Sequence, residues 1–434
     1  MTHLRRGDLL PSIHCPPPGP RSRRLARGSI RHEAPGINAV GSDGSTLVWR
    51  EALGTNVLDV DDNRYLDLTA GFGVAAVGHR HPAVVAAIRK QSGLLVHGLG
   101  DVHSHSERSK LAHQLLRQAP VEDAQVFFGV SGSDAVEIAL KTALLATRRK
   151  RVLAFEPAYH GLSLGALQLT SRQAFREPFA ARFGDTVDRL PFGCAAGEID
   201  RWLRRHPQTA CVVVEPIVGR EGVLLPPSGW LGELGRSCRR HGVLLIADEI
   251  FTGFGRTGRW FAVDHEKVEP DLLCCGKALG GGLPIAAVVG RRELLAVWEQ
   301  DGEALHTGTF VAHPVACAAA LATLAVMRSE RLPQRAARLG RQVGARLRLW
   351  PEHHASVVAV RGRGLMWGLE LQDSETAHRL TQILLQRGVL ALAGGPEGRV
   401  LQLLPPLVIS ERQLFRALEI LELSVEDLSD PRHH

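Results

Sequence analysis

Two residues of opposite chemical character stand at matching places in this sequence. Val243-Leu-Leu-Ile-Ala-Asp248 and Leu272-Leu-Cys-Cys-Gly-Lys277 are each a short apolar run that stops at a charge, as a strand buried on both faces would. Open α/β sheets bind ligands at such strand ends. A carboxylate and an amine delivered there together suit a ligand with a basic ring nitrogen and a reactive aldehyde, and pyridoxal 5'-phosphate has both. Lys277 must be neutral to attack an aldehyde near neutral pH, and burial beside a cationic ring favours that form.

Other stretches offer what such a cofactor needs. Gln125–Phe128, then Gly129-Val-Ser131-Gly-Ser133, then Asp134–Ala143 read as strand, small-residue turn and helix N-terminus. Backbone N–H groups and the helix dipole make that junction an anion site, with Gly132 and Ser133 as phosphate holders, although the same pattern also makes an ordinary helix cap. Arg151–Phe155 exits into Tyr159-His160-Gly161, and Tyr159, one of only two tyrosines, can stack on a flat ring. Cys211–Val214 ends at Glu215, followed by Gly219 and Gly222 in a loop that can border a pocket. Lys277 precedes Gly280-Gly-Gly282, but the order of a P-loop is absent. Gly308 and Thr309 offer a further small-residue anion contact.

The elements that must hold these residues alternate as strands and helices, which predicts an α/β fold with a mostly parallel sheet covered on both faces. With 434 residues and 44% apolar content, the chain can bury a large core and a smaller domain. We expect a basic, Pro-rich N-terminal arm over 1–30, extended or poorly ordered, and an antiparallel meander over 31–70 that begins the smaller domain. The large domain is expected over 71–327, and an α+β unit of the smaller domain over 328–434. Net charge is +7 and the pI about 9.3. Basic and acidic residues are interspersed and no recognition module appears, so the charge favours small anionic ligands over nucleic acid. Seven cysteines lack metal-ligand spacing, and no carboxylate or cysteine cluster joins His79 and His81, so no metal is expected. The cysteines fit a reducing cytoplasm. No apolar run approaches the roughly 20 residues that span a bilayer, and no signal-peptide core is visible.

Taken in order, the pieces resemble the class III (ω-) aminotransferases of the fold type I pyridoxal-phosphate enzymes. The resemblance runs from about Ala34 to Ile409. It rests on Tyr65-Leu-Asp-Leu68, Gly78-His-Arg-His-Pro82, Ser131-Gly-Ser133, Tyr159-His-Gly161, Glu215-Pro216, Asp248-Glu-Ile250, Gly253-Phe-Gly-Arg-Thr-Gly258, Gly276-Lys-Ala-Leu-Gly-Gly-Gly282, Thr309-Phe310 and Pro405-Pro-Leu407. It implies that Lys277 links covalently to the cofactor and then shuttles a proton, and that Asp248 keeps the ring nitrogen protonated. It further implies that Ser131, Gly132 and Ser133 hold the phosphate, with His160 also against the cofactor. Tyr159 and Ile250 would cover the two ring faces, and Glu215 would lie near the ring hydroxyl and the substrate. Thr309, beside Gly308, would reach the phosphate of a neighbouring subunit, which implies a homodimer with shared sites.

The departures bear on substrate. Relatives acting on 4-aminobutyrate or ornithine tend to carry Gln where this chain has Phe251, Arg where it has Gln402, and, for 4-aminobutyrate, Arg where it has Leu162. Gln cannot reproduce the two charge-assisted bonds of a guanidinium to a carboxylate. Arg399 is a candidate replacement, although strand alternation puts it on the face opposite Gln402. Trp49, Phe72 and Phe251 would make the pocket apolar. The expected reaction is transfer of an amino group from a primary amine, diamine or ω-amino acid to an α-keto acid, in a ping-pong cycle through pyridoxamine phosphate. An amino-acid racemase, epimerase or aminomutase could use the same Lys277 and Asp248. A non-catalytic or DNA-associated protein would not need them intact.

Overall fold

The computed structural model describes residues 3–34, 46–100, 102–299 and 303–428. Positions 35–45, within the expected N-terminal meander, and 429–434, at the end of the expected C-terminal domain, lie outside the described residues. The chain forms two compact units. One comprises Met1–His81, Ala345–Val360 and Trp367–His434, the other Pro82–Gly344 and Arg361–Met366.

The first unit begins with the expected meander: β1 (Trp49–Leu53), β2 (Asn56–Asp59) and β3 (Arg64–Asp67), antiparallel, with Val57 opposite Tyr65. Leu47 and Val48, within the expected meander, precede it. The polar turn between β2 and β3 closes on one buried carboxylate. Asp59 accepts from the backbone N–H of Asp61 and Asn63, both at 2.9 Å, and from the Tyr65 hydroxyl at 2.8 Å.

The N-terminal arm departs from expectation. Instead of an extended tail, Pro20–His32 is an α-helix with proline in its first turn, where a missing N–H costs nothing. Asp61, from the meander turn, anchors that end by accepting from Arg21 N at 2.7 Å, Ser22 N at 2.8 Å and Ser22 Oγ at 2.6 Å. A carboxylate at a helix N-terminus satisfies amides that the helix cannot. Composition signalled solvation; the deciding partner lies forty residues downstream.

The second unit holds the large sheet: β4 (Ala124–Gly129), β5 (Arg151–Glu156), β6 (Val187–Pro191), β7 (Thr209–Val214), β8 (Leu244–Asp248), β9 (Leu272–Cys275) and β10 (Ala286–Arg291). Its order is β4-β10-β9-β8-β7-β5-β6. β6, β5, β7, β8 and β9 are parallel, while β10 runs antiparallel to both neighbours. Every residue of β7 and β8 is buried, which explains their unbroken apolar sequence. The helix Gly132–Thr147 packs on this sheet through Ala135, Ile138, Ala139 and Ala143. The chain order turns between β5 and β7, so the loops after these strands diverge and leave a crevice at their carboxyl ends. This is the expected α/β class, with a seven-stranded, mostly parallel sheet.

The remaining strands are β11 (Val357–Arg363), β12 (Met366–Leu371), β13 (Val389–Leu390), β14 (Leu392–Gly394) and β15 (Val400–Leu403), all in the first unit except Arg361–Arg363 and Met366. Four form a sheet in the order β11-β12-β15-β14, while β13 extends the meander beside β3. The last helix is Glu411–Leu428.

Asp61→Ala should therefore free the Pro20–His32 helix while leaving the rest folded. Three hydrogen bonds to a charged acceptor are lost, a local destabilisation of about 2–4 kcal/mol. Limited trypsin digestion should cut among Arg21, Arg23, Arg24 and Arg27 at least tenfold faster than in wild type; unchanged cleavage would remove Asp61 as the anchor.

Candidate active site

Strand register brings the two sequence-defined charges together. Asp248 is paired in the sheet with Cys274, and the amide of Glu249 donates to the Cys274 carbonyl at 2.9 Å. The chain then leaves β9 through Gly276, and Lys277 follows with φ +43°, a left-handed conformation that a lysine adopts only under constraint. Its Nζ lies 4.1 Å from the centre of the Phe251 ring. Residues far apart in sequence thus open onto one point at the carboxyl ends of adjacent strands.

The carboxylate is buried and engaged. Asp248 is 4% exposed, its Oδ2 is 2.7 Å from His160 Nδ1, and its Oδ1 accepts from Ile250 N at 3.2 Å. Burial alone would lower the His160 pKa, but the hydrogen bond and charge of Asp248, helped by Glu215, outweigh it and the net direction is up. The loop carrying His160 is stapled by its own amide donating to Thr170 Oγ1 at 3.0 Å. Gly161 then turns with φ +125°, and a Cβ there would lie 2.5 Å from Ser133 Oγ. Only glycine lets this loop approach the helix N-terminus so closely.

Glu215, at the end of β7, accepts from Tyr159 N at 2.9 Å and Gly219 N at 3.0 Å. Desolvation, with Asp248 adding to it and His160 opposing, raises its pKa to about 7. Lys277 moves the other way. Desolvation lowers its pKa despite Asp248 and Glu215, and Arg220 lowers it further. The charges therefore separate: a His160 imidazole whose protonated form is favoured, an acid poised near neutrality, and an amine driven towards its neutral form.

These groups line a cavity of about 380 Å³. Gly132 and Ser133 enter it from the N-terminus of the Gly132–Thr147 helix, whose first amides lack intrahelical partners. Ser131 caps that helix, its hydroxyl accepting from Asp134 N at 3.2 Å. A larger cavity of about 480 Å³, bordered by Arg239, Asp271 and Arg291, contains neither Asp248 nor Lys277.

Of the residues singled out from sequence, the cavity brings together Gly132, Ser133, Tyr159, His160, Glu215, Asp248, Ile250, Phe251 and Lys277, with Leu162 at its rim. Ser131 adjoins it as the cap, while Gly308 and Thr309 do not line it. Trp49, Phe72, Arg399 and Gln402 belong to the other unit. There Trp49 packs edge-on to His79 at 5.9 Å, Phe72 is 58% exposed, and Gln402 is buried in β15. Arg399 pairs with Glu370 at 2.8 Å and Glu397 at 3.3 Å. Sequence reasoning missed Arg220, whose guanidinium lies 4.4 Å from the Tyr159 ring centre in this cavity. Its one sequence signal was its place between Gly219 and Gly222, in a loop expected to border a pocket.

Known proteins resemble this chain over most of its length. The family model for aminotransferase class-III matches residues 37–425. An acetylornithine aminotransferase of Methanopyrus kandleri is 40% identical over 86% of this chain and 92% of its own length. An alanine/serine racemase of Pyrococcus horikoshii is 33% identical over 96% of this chain and 93% of its own. The solved ornithine aminotransferase of Toxoplasma gondii superposes with a TM-score of 0.87 at 29% identity, covering 94% and 96% of the two chains.

The cofactor of the class is pyridoxal 5'-phosphate, and the residues present fit it. Asp248 supplies a buried anion for a protonated ring nitrogen, the helix N-terminus suits a phosphate, and Lys277 is a desolvated amine. The buried His160 Nε2 has no protein hydrogen-bond partner, as expected where a site is completed by a further polar group.

The adjoining Glu249 is fully buried, and desolvation, only partly offset by bonds from Thr252 Oγ1 and Val263 N, raises its pKa to about 7. A carboxyl whose folded pKa is raised contributes stability that is complete below the unfolded value and is lost as pH rises through the folded one. The cofactor-free protein should thus lose on the order of 1–3 kcal/mol from this group between about pH 4.5 and 7. Urea denaturation across that range should show a shallower decline for Glu249→Gln than for wild type. Parallel pH profiles would show that Glu249 does not titrate in this way.

Proposed function

Because the chain belongs to the class III aminotransferases, a pyridoxal-phosphate-dependent transferase family, we propose that it moves an amino group from a primary amine, diamine or ω-amino acid to an α-keto acid. The observation that carries this reading is the pairing of a desolvated Lys277 with a buried Asp248–His160 couple in one cavity.

When bound, pyridoxal 5'-phosphate supplies an aldehyde that accepts the amine and a ring that draws electrons from the amine-bearing carbon. Asp248, held by His160, stabilises a proton on the nitrogen that faces it. Gly132 and Ser133 would hold the phosphate at the helix N-terminus, and Tyr159 and Ile250 would confine the ring between them. Lys277 Nζ would hold the aldehyde carbon at rest; displaced from it by the substrate amine, Nζ would take the proton from the substrate carbon and deliver it to the second reacting carbon. Desolvation lowers the Nζ pKa, which favours the neutral form this role needs. Glu215, near neutrality, can give or take a proton beside it.

A homodimer with shared sites belongs to the same reading. Thr309 and Phe310 are exposed, as are Leu94, Val96, Leu99 and Val102, and Phe310 joins the two segments through His97 at 5.5 Å. An apolar surface of this kind, continuous with Gly308 and Thr309, suits a second copy of the chain. A cytoplasmic location is proposed on the seven cysteines, all unpaired. No described helix is long and apolar enough to cross a membrane.

The racemase relative supports a second reading, in which the proton returns to the carbon it left. Product analysis separates the two. With the amine donor alone, wild type should form one keto or aldehyde product per site and convert the cofactor to its amino form. A donor-and-acceptor panel should then show turnover, and Lys277→Ala should lose the lysine-linked absorbance and more than about 10⁴-fold of the rate. Retained amine with scrambled chirality and no carbonyl product would overturn transamination in favour of racemisation.

A further inference from the structure

We propose that Arg220 binds the substrate carboxylate, which makes carboxylate-bearing amines and keto acids the preferred substrates of this cavity. This rests on the transaminase reading and narrows it.

Besides His160 and Tyr159, four ionisable groups line the cavity: Glu215, Arg220, Asp248 and Lys277. Asp248 is bonded to His160, Glu215 accepts two backbone N–H bonds, and Lys277, whose pKa burial lowers, is the reacting amine. Arg220 alone among them is a permanent cation, because a guanidinium does not deprotonate in proteins.

Its position is built. The guanidinium carbon lies 4.4 Å from the ring centre of Tyr159 and 5.2 Å from that of Phe175. Cation–π contact with the two rings holds the guanidinium in the cavity, where a planar fork can give a carboxylate two parallel bonds. The loop beneath it is equally constrained. Gly219 N donates to Glu215, and a Cβ on Gly219 would lie 2.0 Å from the Phe251 ring, so the backbone is pressed against the residue that covers Lys277 Nζ. Glu221, the adjacent charge, is 1% exposed and pairs with Arg172 at 2.8 Å. Arg220 therefore points its charge into the site from a loop that cannot easily swing away.

Arg399, the other candidate for this task, is held by Glu370 and Glu397 within its own unit. The cofactor phosphate has the helix N-terminus at Gly132 and Ser133. A cation near a neutral lysine also strengthens the field on an incoming anion in a partly desolvated cavity.

The test uses holoenzyme and propionate, an unreactive monocarboxylate, as probe. Propionate should perturb the bound cofactor's absorbance and compete with pyruvate. In Arg220→Met its dissociation constant should rise at least about 30-fold, and Arg220→Lys, keeping charge without the planar fork, should fall between. Among converted donors, the ratio of kcat/KM for a carboxylate-bearing amine over benzylamine should drop about 100-fold in Arg220→Met, mainly through KM. Unchanged propionate binding, or equal loss for both donors, would overturn the assignment. If Arg220→Met does not fold, Arg220→Lys alone decides it through the same titration. A wild type that converts no amine would sink the transaminase reading, while propionate binding would still decide the role of Arg220.

Discussion

A carboxylate taken out of water needs a compensating partner, and buried Asp248 is such a group. His160 supplies the first compensation at 2.7 Å. The same low-dielectric setting that makes the pair necessary also drives Lys277 towards neutrality and holds Glu215 near pH 7. One condition, desolvation at the carboxyl ends of β7 and β8, thus sets an acid, an anion and a free amine apart in a single cavity. The fold serves that condition. Fully buried parallel strands remove water, the β8–β9 register fixes where carboxylate and amine emerge, and the Gly132–Thr147 helix turns its N-terminus towards the same space.

Much of this was legible in the sequence because it follows from local patterns. The apolar runs ending at Asp248 and Lys277 announced buried strands, and the Ser131-Gly-Ser133 turn announced a helix start. What stayed hidden depended on partners distant in sequence. The Pro20–His32 helix exists because Asp61 caps it, and no local pattern records that. Arg220 reads as one more arginine until Tyr159 and Phe175 are found against it. The antiparallel sense of β10 likewise comes from tertiary pairing with β4 and β9.

The substrate question has moved from one residue to another. Sequence comparison framed it as a missing arginine at Gln402, with Arg399 as possible compensation. In the structure Arg399 is neutralised by two glutamates, while Phe251 closes over Lys277 and Arg220 stands in the cavity. Phe251 gives the site an apolar wall, and Arg220 gives it one fixed cation. That combination suits a substrate with a hydrophobic body and one carboxylate better than a dicarboxylate.

The central claim is that buried Asp248 holds a proton on the nitrogen facing it. Reconstituting the protein with cofactor labelled with ¹⁵N at the ring and recording its NMR shift between pH 6 and 9 tests this most directly. The account predicts a protonated ring nitrogen throughout that range in wild type and its loss in Asp248→Ala. An unprotonated nitrogen in wild type, or the same shift in both proteins, would contradict it.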